Sequence, residues 1–205
     1  FSGQYCSLQR LSPSHRHALR ELGLQDAERF QYLPDDPAMT TVEFDTLFEE
    51  RLKSTDPLFY AIVDAAGVVA GRLSLMRMVP QHGVLEIGHI YFGPSIARRR
   101  AATESIYLLL AYAFDTLGYR RVEWKCDNAN AGSKRAAERF GFRPEGVFHK
   151  HLIVKGKNRD TAWFAILDDD WEVMKQCYLV WLKESNFTED GTQIEPLTRP
   201  YCGAR

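Results

Sequence analysis

The feature that most constrains the fold is an apolar strand pattern that leads, through a basic turn, into a long amphipathic helix. Residues 84–92 read as a strand, residues 94–104 contain three consecutive arginines, and the helical pattern continues to residue 117. Apolar residues recur at i, i+3, i+4, i+7, i+8 and i+11, which is one buried helix face. They are Ile106, Leu109, Leu110, Ala113, Phe114 and Leu117. The strand pattern at 121–126 is then predicted to be parallel to 84–92, because a crossover of this length reverses direction twice.

The segments before this unit predict an antiparallel meander. Strand-like runs at 58–64, 68–78 and 84–92 are joined by connections too short for a crossover. Gly88 lies inside the third run, where an isolated glycine indicates a β-bulge or a close backbone approach. Upstream, residues 4–11 read as a first strand, and residues 13–22 and 40–55 read as helices.

The segments after it predict a helix, a strand pair and a final helix. Residues 130–140 form the helix, 142–154 and 161–167 the antiparallel pair, and 170–182 the last helix. From residue 184 the chain is polar and rich in turn residues. We therefore predict an α/β (mixed α+β) fold in a single domain of residues 1–183, followed by a surface tail of residues 184–205.

Composition limits the classes of function. The 205 residues carry a formal net charge of -1, with 45% hydrophobic and 26% charged residues. This balance argues against a nucleic-acid-binding protein, and no apolar run is long enough to predict a membrane span. Four scattered cysteines fit reduced thiols in a cytoplasmic protein, and no ligand spacing predicts a metal site. No signal peptide is recognisable, although a chain that begins at Phe1 leaves a trimmed leader open.

An anion site is predicted at the start of the central helix. The N–H groups of a first helical turn lack intrahelical acceptors, and the helix dipole makes this end positive. Arginine side chains are the donors that phosphate favours. The alternative is a solvated arginine cluster with no ligand. We predict that a pyrophosphate-bearing cofactor binds at the residues of this turn and the helix start, which are Arg98, Arg99, Arg100, Ala101, Ala102 and Thr103.

Four motifs in the right order resemble one family. They are Glu86-Ile87-Gly88-His89-Ile90, then Ala102-Thr103-Glu104, then Asn130, Ser133 and Gly141-Phe142, and finally Arg159-Asp160-Thr161 with Trp163. Together with the predicted order of elements, they resemble the GNAT N-acetyltransferase superfamily and, within it, the RimJ/RimL-like branch. The resemblance is strongest over residues 85–171 and does not extend into the tail.

The resemblance implies a mainly antiparallel mixed sheet whose central parallel strands splay apart, with flanking helices. It further implies acetyl-CoA as cofactor and an acceptor amine on a small molecule or a peptide N-terminus. Backbone N–H groups near Ile90 and Tyr91 would polarise the thioester carbonyl. Asn130 and Ser133 would contact the cofactor, and Ser133 would protonate the departing thiolate. The oligomeric state is not readable.

Two positions depart from the family pattern. Aligned on Thr103, Ala97 and Arg100 stand where the superfamily usually has Gln or Arg and then a glycine; a register shifted by one gives Arg98 instead, with Ala101 in the glycine position. Ala137 stands where many members have the tyrosine that protonates the thiolate. The RimJ/RimL-like branch often lacks that tyrosine, and its absence here leaves Ser133 as the proton donor.

The general base has two candidates. An amine must lose a proton before it attacks, and both Glu86 and His89 lie beside the expected thioester position. Three residues apart, they would face opposite sides of a regular strand, but a bulge near Gly88 would change this. Asp160 is a third acidic residue, which either positions the substrate ammonium or holds a loop.

Three functions remain open at this point. The first is an N-acetyltransferase that moves the acetyl group directly from acetyl-CoA to a primary amine. The second is a catalytically silent acyl-CoA-binding or regulatory module, because the phosphate turn is altered and the tyrosine is missing. The third is an ATP- or GTP-binding protein, which is disfavoured because the chain lacks the Gly-x-x-x-x-Gly-Lys-Ser/Thr motif.

Overall fold

A seven-stranded mixed sheet forms the centre of the chain, and the computed structural model describes residues 1–197. The strand order is β1-β2-β3-β4-β5-β7-β6. The strands are β1 (Cys6–Arg10), β2 (Leu58–Asp64), β3 (Val69–Val79), β4 (Val84–Phe92), β5 (Arg121–Asp127), β6 (Arg143–Val154) and β7 (Lys157–Leu167). Among the strands of residues 1–197, only β4 and β5 pair in parallel. The predicted meander, the parallel β5 and the mixed fold class are confirmed.

In the described part of the chain, five α-helices flank the sheet. They are α1 (Arg16–Gln25), α2 (Thr41–Lys53), α3 (Arg100–Ala111), α4 (Ala131–Arg139) and α5 (Asp168–Trp181). The start predicted for α1 was wrong, because residues Pro13–His15 form a separate 3-10 turn. The central helix reaches the predicted length only by widening after Ala111 into a π-helical turn, Tyr112–Thr116.

The two faces of the sheet are packed differently. One face carries the large apolar core, in which side chains of β4 and β5 such as Leu85, Ile87 and Val122 pack against α3 and α5. The opposite face carries a smaller cluster of Leu11, Leu19, Phe48 and Phe59 under α1 and α2. Each fully buried side chain of this kind contributes about 1.5–3 kcal/mol. The face with the smaller cluster also carries the buried polar residues Arg72, Ser74 and Glu86.

The central strands part soon after they meet. β4 and β5 are paired only where Val84, Leu85 and Glu86 face Arg121, Val122 and Glu123. Beyond Glu86 and Glu123 the facing strand edges separate, which confirms the expected splay. A strand edge without a partner presents backbone donors and acceptors that an extended ligand can pair with.

A β-bulge interrupts β4 just inside this gap. Arg72 pairs with Tyr91 and Ser74 pairs with Gly88, so His89 and Ile90 together oppose the single residue Leu73. His89 has φ +50°, in the left-handed region that costs energy for a residue with a side chain. The bulge predicted at Gly88 therefore lies at the next two residues.

The chain beyond residue 183 starts by packing on the domain. Trp181 stacks edge-on against Phe187 and donates from Nε1 to Oε1 of Gln193 at 3.0 Å. Leu197 is buried in the large core. Residues 198–205 of the predicted tail, including Cys202, lie outside the described residues. Within residues 1–197, no helix is long and apolar enough to cross a membrane.

Candidate functional site

The first turn of α3 offers unpaired backbone donors beside the gap. The first intrahelical bond of this turn runs from the Thr103 N–H to the Arg99 carbonyl, at 3.4 Å. Arg99 is the N-cap and supplies no side-chain cap. Within the part of the chain that the structure describes, the amides of Arg100, Ala101 and Ala102 therefore have no acceptor. Three such donors at the positive end of a 12-residue helix are the arrangement to which anions bind, and the cofactor contact stays a prediction.

The three arginines of this turn have different surroundings. Arg98 and Arg99 are exposed, and Arg98 has φ +64°. The guanidinium of Arg100 instead lies 4.5 Å from the ring centre of Tyr5 and 4.8 Å from that of Phe187. The Arg100 side chain is therefore held by two aromatic rings, and its backbone amide is the group left for the predicted phosphate. The sequence could not distinguish these three neighbours.

Thr103 and Ser133 each take part in a contact between elements. The Thr103 hydroxyl accepts a hydrogen bond from Arg139 Nη1 at 3.0 Å, which ties the start of α3 to the end of α4. The Ser133 hydroxyl accepts from Nε1 of Trp124 at 3.0 Å, and its amide donates to Oδ1 of Asn130 at 2.9 Å. Asn130 is the N-cap of α4. Asn130 and Ser133 are thus held at the end of β5, across the gap from α3.

The backbone of Ile90 and Tyr91 lies on the open edge of β4. The bulge shifts Ile90 out of the regular ladder with β3. Tyr91 is fixed by its hydroxyl, which donates to the carbonyl of Leu22 at 3.0 Å and to Oδ2 of Asp26 at 3.2 Å. Burial raises the pKa of this hydroxyl, so it stays a donor. These bonds tie the side chain of Tyr91 to α1 and to the residue that follows it.

His89 is half-buried on the face of the sheet that α1 and α2 cover. Its Nδ1 lies 3.0 Å from the hydroxyl of Ser74, and its ring lies 5.0 Å from that of Phe59. Burial, reinforced by the guanidinium groups of Arg72 and Arg51, lowers the pKa of His89 to about 4. The imidazole is therefore uncharged at neutral pH. A neutral imidazole can accept a proton, although a pKa this low makes it a weak base.

Glu86 faces the same side of the sheet as His89. Glu86 pairs across the sheet with Met76, and Ser74, the contact of His89, lies two residues from Met76 on the same face. On a regular strand Glu86 and His89 would face opposite sides, and the bulge brings them to the same side. Glu86 is 4% exposed, and its Oε2 contacts Arg77 Nη1 at 2.7 Å and Lys125 Nζ at 2.9 Å.

Lys125 completes a charge cluster that sequence reasoning missed. Its Nζ also lies 2.6 Å from Oε2 of Glu123 and 4.0 Å from the ring centre of Trp163. Burial alone would raise the pKa of Glu123, but hydrogen bonds from Lys125 and Arg121 outweigh it and hold that pKa below its ordinary value. Alternating charges on β5 were the available signal, yet alternation alone fits a solvated strand face equally well.

A second buried cluster ties the segment 27–39 to the sheet. Asp35 forms ion pairs with Arg72 of β3 and, at 2.8 Å, with Arg51 of α2. Burial alone would raise the pKa of Asp35, but the two guanidinium groups hold it below its ordinary value. Lys155 donates to the carbonyl of Phe30 at 2.9 Å, so the same segment also reaches the β6–β7 turn. The segment thus runs from the β3 side of the gap to the β7 side.

Asp160 organises the strand pair β6–β7. Its carboxylate accepts from the amide of Lys150 at 2.8 Å and from Nδ2 of Asn158 at 3.0 Å, and it pairs with Nδ1 of His149 at 3.0 Å. The backbone bond from Lys150 is the largest of the effects that lower the pKa of Asp160. Of the two roles considered from sequence, holding a loop is the one that these contacts perform; a substrate contact stays a prediction.

A groove opens beside the start of α4. Its volume is about 430 Å³, and its lining includes Asn128, Ala131, Lys134 and Trp163. The Nε1 atom of Trp163 is buried and has no hydrogen-bond partner among the described residues. An unpaired buried donor is costly, so this indole N–H is available to a ligand. No group of three or more His, Cys, Asp or Glu side chains within residues 1–197 could hold a metal ion.

Comparisons with known proteins agree on one family. A family model described as "Acetyltransferase (GNAT) domain" matches residues 7–143. A crystal structure of a GCN5-related N-acetyltransferase from Brucella melitensis is 49% identical, with a TM-score of 0.93 over 96% of this chain and 91% of that one. Among Bacillus subtilis (strain 168) proteins, the probable N-acetyltransferase YjcK is 31% identical over 62% of this chain and 71% of its own length. The putative ribosomal N-acetyltransferase YdaF is 25% identical over 82% and 94%.

Proposed function

We propose that this chain, which belongs to the GNAT acetyltransferase family and resembles its RimJ/RimL-like branch, transfers an acetyl group from acetyl-CoA directly to a primary amine. The observation that carries the proposal is the parting of β4 and β5 after Glu86 and Glu123, directly beside the unpaired amides of α3. A phosphate-binding helix start and an open strand edge together fit a long cofactor that carries pyrophosphate at one end and an amide-containing arm at the other.

The residues of the gap divide the work of holding the cofactor. The amides of Arg100, Ala101 and Ala102 would bind the pyrophosphate, with Arg98 and Arg99 as exposed counter-charges. The open edge of β4 near Ile90 would pair with the arm and polarise the thioester carbonyl. When bound, acetyl-CoA supplies the activated acetyl group. Asn130 and Ser133 lie across the gap, at the start of α4 after β5, where the Ser133 hydroxyl would donate a proton to the leaving thiolate.

His89 is the better of the two candidates for taking the proton from the amine. Glu86 is held by two cations, whereas His89 is uncharged and stands in the bulge next to Ile90. Because the pKa of His89 is about 4, its imidazole is fully deprotonated well below pH 7. We therefore expect kcat/KM to rise between pH 6 and 9 as the acceptor ammonium loses its proton, and not with the deprotonation of an enzyme group. A limb near pH 6.5 that disappears in His89→Gln would contradict this.

Binding and turnover can be tested separately. A thermal melt with millimolar acetyl-CoA should raise Tm by several degrees, because a ligand at 100 times its Kd adds about 2.7 kcal/mol. ATP and NAD are the controls and should have no effect. Release of free CoA with a panel of primary amines then tests catalysis. Absence of any melting shift would refute the cofactor assignment, and a shift without turnover of any amine would favour the silent acyl-CoA-binding alternative.

A further inference from the structure

Lys125 is surrounded by the groups that form an ammonium-binding site. Its Nζ is bounded by Oε2 of Glu86 at 2.9 Å, by Oε2 of Glu123 at 2.6 Å and by the ring of Trp163 at 4.0 Å. Two carboxylates and an indole face are the groups that recognise an amine cation in proteins. The Lys125 side chain is only 5% exposed, so it fills this site. We call Glu86, Glu123 and Trp163 the ammonium box.

The ammonium box stands at the closed end of the gap between β4 and β5. Glu86 and Glu123 are the last pair of the parallel ladder, and Lys125 is two residues further along β5, where β4 has already diverged. Oε1 of Glu86 lies 3.5 Å from the place where a β carbon on Gly88 would stand. That carboxylate therefore lies beside Gly88, two residues before Ile90 along β4, with the bulge residue His89 between them. An acceptor bound for acetyl transfer at Ile90 would reach the box with a chain of a few carbons.

The charges of the cluster balance without any ligand. Glu86 is also paired with Arg77, and Glu123 with Arg121, which in turn pairs with Glu145 at 2.5 Å. Three cations thus face three carboxylates. A second ammonium on the acceptor would lose its water here and find both carboxylates of the box already taken, which is costly in a buried place.

We propose that Lys125 is a specificity-determining residue: it occupies the ammonium box and excludes acceptors with a second cationic group close to the reacting amine. The substrate class is then a primary amine with uncharged neighbours, such as the α-amino group of a peptide without an adjacent basic side chain, and not a polyamine. This inference rests on the proposed acetyl transfer, because it places the acceptor at Ile90.

The wild-type protein tests the substrate class. Acceptors are compared in matched pairs, n-butylamine with 1,4-diaminobutane and alanyl-alanine with alanyl-lysine. We expect kcat/KM at least tenfold lower for the acceptor with the second cation in each pair. Lys125→Met keeps most of the side-chain volume but removes the charge. In this variant the ratio of the two kcat/KM values within each acceptor pair should fall to about one. Equal use of mono- and diamines by the wild type would overturn the proposal.

Chemical rescue tests the ammonium box without any turnover. Lys125→Ala opens the box, and propylammonium should raise its Tm in a saturable way by several degrees, whereas 1-propanol should not. The matched control is Lys175→Ala. Lys175 lies away from the gap, and its Nζ pairs with Oδ2 of Asp115 at 2.9 Å. Neither this control nor the wild type should respond. A folded Lys125→Ala without a saturable response would refute the box.

The two tests fail independently. If Lys125→Ala does not fold, the double variant Lys125→Ala/Glu123→Gln replaces it in the melting experiment. The second substitution removes one of the two carboxylates that lose their counter-charge with Lys125. If neither variant folds, the wild-type acceptor pairs decide alone. If no amine is acetylated, the proposed function fails, and the melting experiment still establishes or refutes the box.

Discussion

At the gap between β4 and β5, the two faces of the sheet carry different chemical groups. On the side of α3, the site consists of backbone amides without acceptors and of arginines exposed to solvent. On the side of α1 and α2, it consists of buried side chains that are already paired, such as Asp35 with Arg72 and Glu86 with Lys125. On the α3 face the donors are free to bind a ligand, whereas on the α1 and α2 face the charged side chains are already bound to one another. Mutations should therefore affect ligand binding on the first side and stability on the second.

The largest difference is expected from the Asp35 cluster. Asp35→Ala leaves the buried guanidinium of Arg72 without its counter-charge, which should lower the free energy of unfolding by about 3–5 kcal/mol. Urea denaturation measures the loss. Glu145→Ala, which removes a half-exposed partner of Arg121, should cost less than about 1 kcal/mol. Equal losses in the two variants would mean that burial of the Asp35 cluster has no energetic consequence.

The next effect concerns acid stability at His89. The unfolded chain binds a proton with an ordinary histidine pKa near 6.5, whereas the folded protein does so only near pH 4. The contribution of neutral His89 is thus complete above pH 6.5 and is lost as the pH falls from 6.5 towards 4. Between pH 7 and pH 5 the wild type should lose about 2 kcal/mol more than His89→Gln in urea denaturation. Parallel losses would show that His89 is not buried as a neutral group.

The arginines of the phosphate turn should separate binding from stability. Arg98→Ala/Arg99→Ala should weaken acetyl-CoA binding at least tenfold, because two exposed counter-charges are removed, and should change stability by less than about 0.5 kcal/mol. Arg100→Ala should show the reverse: affinity stays the same, and about 1–2 kcal/mol of stability is lost with the contacts to Tyr5 and Phe187. Calorimetric titration and urea denaturation of the same samples decide the matter.

The smallest effect is expected at the backbone of Arg98. With φ +64°, this residue is strained in a way that glycine avoids. Arg98→Gly should therefore raise the free energy of unfolding by roughly 0.5–1 kcal/mol relative to Arg98→Ala, while both variants bind acetyl-CoA equally weakly. If glycine gives no advantage over alanine, the left-handed turn does not form in solution.

Periodicity predicted most of the fold. The helix face from Ile106 to Leu117 and the short connections of the meander follow from local spacing, and so the order of elements and the parallel β5 could be read directly. Errors occurred where the local pattern is ambiguous. The 3-10 turn before α1 has the same composition as a helix start, and β7 begins at Lys157 because a two-residue connection follows β6.

The proposed cofactor side of the site could be predicted from local sequence, whereas the proposed acceptor side depends on contacts between residues that are distant in the chain. A turn followed by a helix start is a local object, so its amides and its arginines are adjacent in the chain. Lys125 and Glu86 are brought together by the parallel pairing of two strands, and Asp35 meets Arg72 across a loop and a strand. Whether a charged residue is paired, buried or solvated depends on neighbours that are distant in the chain, and no local pattern encodes them.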